Sequence, residues 1–217
     1  MNYLAHALPF LDRPYYAAGT CVPDWLAVFD RGTRMRVPAV EPLLRDDDPL
    51  TVAVAGGILQ HLRDDAKFHD TRAFMETNLA LTVLARDALQ GESDFRPGFL
   101  GHLLVEVLLD ATLAAEDPRR LTAFYAALGQ VDPPLVHAVV NRAARRPAVH
   151  LADFIAEFLR HGVLWDYLED GKLLGRLGQV MQRVGLAALP AEFAAILPAA
   201  RRIVAARRVE LLDGIPT

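Results

Sequence analysis

The 217-residue chain has one cysteine, Cys21, so it can form no intrachain disulfide and no cysteine-rich zinc module, and its thiol usage fits a reducing compartment. It also lacks a cationic surplus. Lys and Arg number 23 against 27 Asp and Glu, a formal charge of −4, so the counterion-release route to nucleic acid is poorly supplied and no nucleic-acid partner is expected. The apolar start from Met1 to Leu11 has no basic flank and is broken by Asp12, Arg13 and Pro14, which argues against a signal peptide. No uninterrupted apolar run approaches the roughly 20 residues that span a bilayer. These absences give the expectation of a cytoplasmic protein with no membrane span. The chain also has no serine nucleophile elbow, P-loop or dinucleotide glycine pattern.

What is present points to helices. The chain is 53% hydrophobic and 23% charged, which fits one medium globular domain. Leu, Ala, Arg and Glu dominate, and alternating β-branched runs are almost absent, so the expected fold is all-α, one helical domain over residues 1–217. Asp48-Pro49, Asp117-Pro118 and Asp132-Pro133 each put a capping acid before a proline suited to a first helical turn. The pattern predicts helices near 2–10, 24–30, 49–69, 71–90, 97–115, 118–129, 133–145, 148–168, 171–185 and 190–212, with loops at Asp12 to Pro23, Arg31 to Asp47 and Gly91 to Pro97. Gly56-Gly57, inside a predicted helix, reads as a place of close helix packing.

Two ladders of ionisable residues stand out on apolar helices. His102, Glu106 and Asp110 recur every fourth residue in the stretch from Phe99 to Leu113, which is otherwise apolar nearly all round. Burying carboxylates there costs several kcal/mol unless something compensates, and a cation would. His61, Asp65 and His69 repeat with the same spacing one helix upstream. Facing stripes of this kind supply imidazole and carboxylate ligands suited to a divalent metal, Mn, Fe or Zn. Each ladder also has a plainer reading: a buried His-Glu pair with Asp110 near the surface, or a solvated face around Arg63, Asp64 and Lys67. Asp64 and His69 are the candidate proton carriers, and Arg63 is a candidate phosphate contact near the site. Near the amino terminus, Asn2 and His6 lie one turn apart, and Gly19 to Trp25 reads as a turn ending on Asp24 at a helix start. The basic faces at Arg142, Arg145 and Arg146 and at Arg201, Arg202, Arg207 and Arg208 read as solvated surface, with docking of an acidic carrier protein as the alternative.

Asn2-Tyr-Leu-Ala-His6, Gly19 to Trp25, His61 to Asp65 and Glu106 to Asp110 together resemble the acyl carrier protein phosphodiesterase family in order and rough spacing. The resemblance implies an HD-like all-α helical bundle and a divalent metal, usually manganese. The implied reaction cleaves the phosphodiester between a carrier-protein serine and phosphopantetheine. It implies Asp24, His61, Asp65, Glu106 and Asp110 as the metal and catalytic group, with His6 nearby. This chain departs from the family pattern at Thr20, Glu106 and Ala111, and adds His69 and His102. A second set, the Gly19 to Asp24 turn with His61, His69 and His102 to Glu106, is similar to zinc-dependent phospholipase C-like proteins, which implies His102 as a further ligand. The expectation is a metal-dependent phosphoesterase or phosphodiesterase with its site in residues 1–115. Its substrate would be a phosphoester, with acyl carrier protein as the partner the first resemblance implies. The alternative from another class is a non-catalytic helical scaffold with a degenerate HD-like site.

Overall fold

The computed structural model describes residues 1–90 and 93–216, and among these the protein is all-α, without strands. Its helices are α1 (Tyr3–Ala7), α2 (Pro14–Phe29), α3 (Val37–Val40), α4 (Pro49–His69), α5 (Arg72–Ala88), α6 (Pro97–Glu116), α7 (Arg119–Leu128), α8 (Pro133–Ala143), α9 (Leu151–His161), α10 (Asp170–Arg183) and α11 (Leu197–Leu211). Of the loop expected from Gly91 to Pro97, residues 91 and 92 lie outside the described residues, and Ser93–Phe95 form a 3-10 turn. Two compact units alternate along the sequence. The first comprises Asn2–Ala66 and Arg119–Val163; the second comprises Met1, Lys67–Pro118 and 164–216. The division falls inside α4, after Ala66, and no linker-like stretch marks it.

In the first unit α2 is central, packing on α1, α7, α8 and α9. This corrects the expected loop from Asp12 to Pro23: the helix starts at Pro14 and continues through Pro23 to Phe29, so Asp24 lies in a helix interior and is not an N-cap. Local propensity opposes this helix, since Gly, Thr, Val and Pro are all weaker formers than Ala. Packing overrides it. Ala17 to Val22 are all buried, and α2 crosses α4 where both helices carry glycine. A Cβ on Gly57 would overlap the Tyr16 carbonyl oxygen and lie 2.8 Å from Gly19 Cα, so only glycine permits this approach.

Helix α4 begins as the sequence predicts. Asp48 accepts from Leu50 N at 3.2 Å and Thr51 N at 3.0 Å, directly before Pro49. Asp132 precedes α8 but makes no side-chain cap. The helix expected over 148–168 is shorter, because Gly162 takes φ 57° and ends α9 in a left-handed C-cap, leaving Val163–Leu168 as a 3-10 segment. The loop expected from Arg31 to Asp47 contains α3 and a 3-10 turn at Glu41–Arg45.

In the second unit α5, α6 and α11 pack against one another. The face of α6 with Leu100, Leu104 and Leu108 is fully buried, as a helix apolar on most sides requires. At 20 residues α6 is long and apolar enough to cross a bilayer, a property hidden from a search for uninterrupted apolar runs; 61% of its most apolar window is buried inside the fold.

Candidate metal-binding sites

Within the first unit, His6 from α1 and His61 and Asp65 from α4 bring their ligand atoms within 4.8 Å of one another. His6 Nε2 lies 3.1 Å from Asp65 Oδ1, and His61 Nε2 lies 3.3 Å from Asp65 Oδ2, so one carboxylate receives both rings. The two imidazoles stack at 3.8 Å between centroids, and both are buried. Asp24 of α2 adds an oxygen 3.9 Å from His61 Nε2. Burial pushes the Asp65 carboxyl up, but hydrogen bonds from His6 and from His61 in its protonated form outweigh it and hold the group well below the usual carboxylate range.

The position of His61 follows from the glycine crossing. With α2 and α4 in backbone contact, His61 Nδ1 reaches the Thr20 carbonyl oxygen at 2.7 Å. A carbonyl only accepts, so Nδ1 carries the proton and donates it there. The Nε2 atom then faces Asp65 and Asp24 with a lone pair unless a proton or a cation stands between them. A histidine whose remote nitrogen is fixed by a carbonyl is the usual arrangement of a metal ligand. His6 Nδ1 is buried and has no hydrogen-bond partner; the nearer Asp64 oxygen is 3.9 Å away.

Asp24, His61 and Asp65 line a cavity of about 290 Å³. Its other walls are apolar, from Pro23, Leu26, Ala27, Leu62 and Met35, cationic, from Arg31 and Arg34, and polar at Thr33. The two arginines lie in the stretch from Arg31 to Asp47, whose residues read as a plain loop. They become visible only once α2 is known to continue to Phe29 and carry the following residues back to the cavity.

Within the second unit, His69 of α4 and His102 and Glu106 of α6 form another cluster. His69 Nε2 at 2.9 Å, His102 Nε2 at 3.1 Å and the Met1 amino group at 3.3 Å all approach Glu106 Oε1. Burial opposes ionisation of Glu106, but the Met1 charge and the bonds from His102 and His69 prevail and hold its carboxyl below the ordinary range. Phe74 frames both imidazoles edge-on, at 4.7 Å from His69 and 5.1 Å from His102. The side chains of His69 and His102 stay 32% and 41% exposed, against 0% and 2% for His6 and His61, which makes this cluster the wetter of the two.

The ladder His61, Asp65, His69 is therefore divided between the units, and its last member joins α6. Asp110 is buried on α6 and is not a donor in either cluster. Asp64 accepts from Gln60 Nε2 at 2.8 Å, and Arg63 lies exposed with a bond to Gln60 Oε1 at 3.1 Å, outside the cavity lining. Asn2 accepts from Tyr3 N at 3.0 Å and caps α1, the helix that carries His6. The basic faces are largely committed to internal ion pairs: Arg142 with Asp46, Arg146 with Asp30, Arg201 with Asp170, Arg207 with Glu76 and Arg208 with Glu116.

Both clusters offer the imidazole and carboxylate donors that a divalent metal takes, and neither donor set by itself selects one ion. No protein-family model matches the chain, no curated protein matches its sequence and no solved structure matches its fold.

Proposed function

We propose that the protein is a metal-dependent hydrolase acting on phosphoesters, with its centre at His6, His61, Asp65 and Asp24. The observation that carries this reading is the hydrogen bond from His61 Nδ1 to the Thr20 carbonyl, which leaves Nε2 aimed at two carboxylates in the wall of a cavity. Two nitrogens and two carboxylate oxygens suit Mn, Fe or Zn. When bound, such an ion lowers the pKa of a water and neutralises charge on phosphoryl oxygens. The chain's own residues supply the rest. Asp65 bridges the two imidazoles and fixes their spacing, while Thr20 sets the tautomer of His61. Asp64, held by Gln60, lies 3.9 Å from the free nitrogen of His6 and places a negative charge beside that ring. The apolar walls from Leu26, Ala27 and Met35 exclude competing water from one side of the cavity.

The phosphoester class is supported by the motif resemblance and by the cationic wall of the cavity. Acyl carrier protein in its phosphopantetheinylated form is the substrate the resemblance names. The test is a panel of phosphomonoesters, phosphodiesters and holo carrier protein, assayed with Mn, Fe, Zn and Mg after metal analysis of the purified protein. Turnover that needs metal and is lost in His61→Ala supports the reading. Stoichiometric metal with no turnover of any phosphoester, or a protein that takes up no metal, overturns it in favour of a non-catalytic helical scaffold.

A further inference from the structure

The loop after α2 is a fastened turn that presents two arginines, Arg31 and Arg34, to the cavity. Thr33 and Met35 are buried, at 3% and 6% exposure, while Arg31 and Arg34 are exposed and line the cavity. Asp30 organises the turn: Oδ1 accepts from Gly32 N at 3.1 Å and from Arg146 Nη2 at 2.7 Å, and Oδ2 accepts from the Thr33 hydroxyl at 2.7 Å. A Cβ on Gly32 would overlap the Arg146 guanidinium, so glycine is what allows the clamp to close. The turn is thus fastened to residues 119–163 of the same unit.

Arg142, Arg146 and Arg160 in this unit each pair with an acid, to Asp46, Asp30 and Glu157. Arg31 and Arg34, like the exposed Arg36 and Arg45, have no side-chain ion-pair or hydrogen-bond partner among the described residues, but unlike those two they line a cavity, which they share with Asp24 and Asp65. Two guanidinium groups without an internal partner, on a fastened loop and in one cavity with His61 and the half-buried Asp24 and Asp65, fit an anion better than they fit solvent alone. A phosphoryl group has enough acceptor oxygens to satisfy both forks, whereas a carboxylate is used up by one.

The geometry points to Arg31 and Arg34 as the pair that grips the phosphoryl end of an organophosphate, with its organic portion against Leu26, Ala27 and Met35. This rests on the phosphoester reading for its link to turnover, but not for binding. Arg31 and Arg34 are specificity-determining residues here, and they can be tested without metal.

The test titrates phenyl phosphate, inorganic phosphate and benzoate into the full chain stripped with chelator, following arginine Nε–H resonances by NMR and heat by calorimetry. Phenyl phosphate is expected to saturate and to shift the Arg31 and Arg34 signals. It should bind more tightly than inorganic phosphate because of the apolar wall, and more tightly than benzoate. Arg31→Ala and Arg34→Ala should each weaken it about tenfold or more, with partial rescue by lysine, as charge-assisted hydrogen bonds of this kind imply. Unchanged affinity in the double alanine variant, or benzoate bound as tightly as phenyl phosphate, overturns the inference. Phenyl phosphate binding that persists in a protein unable to take up metal would overturn the metal centre and leave the arginine pair standing. Stoichiometric metal with no effect of the arginine variants would do the reverse.

Discussion

His6, His61 and Asp65 in one unit and His69, His102 and Glu106 in the other are chemically the same set, two imidazoles on one carboxylate oxygen pair or oxygen, yet they sit in different surroundings. In the first set the two imidazoles are buried and stacked, a main-chain carbonyl orients His61, and His61 and Asp65 border a cavity. In the second the rings are a third or more exposed, and Glu106 is already compensated by the Met1 amino group. A carboxylate with a built-in cation has less to gain from a metal than one facing a fixed lone pair. Residue type and spacing therefore do not rank the sites; burial and the orientation of the remote nitrogen do.

The largest expected contrast is in metal affinity. Asp65→Asn or His61→Ala should weaken the tighter metal by on the order of 100-fold or more, and His102→Ala should leave it within about tenfold, measured by equilibrium dialysis with Zn and Mn. Equal losses would erase the distinction between the clusters. Next is thermal stability. Removing a metal present at roughly a thousand times its dissociation constant forfeits about 4 kcal/mol. For a chain of this size that is a fall of on the order of 10 °C in Tm, and the fall should nearly vanish in Asp65→Asn.

A third contrast uses glycine. Gly57→Ala should cost about 1–3 kcal/mol by forcing α2 from α4, and should weaken metal binding because Thr20 moves off His61. Gly175→Ala, on α10 of the second unit where an added Cβ meets nothing within 4 Å, should be neutral or stabilising by up to about 1 kcal/mol. Urea melts of both decide whether the crossing positions the site. The smallest effect concerns Asp30. The Thr33 hydroxyl, opposed by slight burial and aided by Arg146 and Gly32 N, holds its carboxyl below the ordinary aspartate range. A depressed carboxyl contributes stability above its unfolded value, about 3.9, and loses that contribution as pH falls through the lower folded value. Asp30→Asn should flatten this acid-range loss, worth less than about 1 kcal/mol, in urea melts at descending pH.

Much of the helical frame is legible in the residues. Asp48-Pro49 announces α4 by its capping chemistry, and the apolar run from Phe99 announces α6. Helix α2 is not legible, because Gly19, Thr20 and Pro23 argue against a helix locally and only the contact with Gly57 explains it. That one gap hides more: the motif resemblance groups Asp24 with His61, but with Asp24 read as a helix start the residues themselves give no reason for it, and the return of Arg31 and Arg34 to the cavity cannot be foreseen. The spacing of His61, Asp65 and His69 is plain in the sequence, but spacing states which side chains share a stripe and not what each one meets. His69 meets His102 and Glu106, and only the fold says so.

The most direct measurement is metal stoichiometry in the full chain carrying His69→Ala and His102→Ala, which removes the imidazoles of the second cluster. One equivalent of Zn or Mn should still bind, and adding Asp65→Asn should abolish it while the helical circular dichroism signal is kept. A protein in this background that binds no metal, or binds it equally well with Asp65→Asn, would contradict the assignment of His6, His61 and Asp65 as a metal centre.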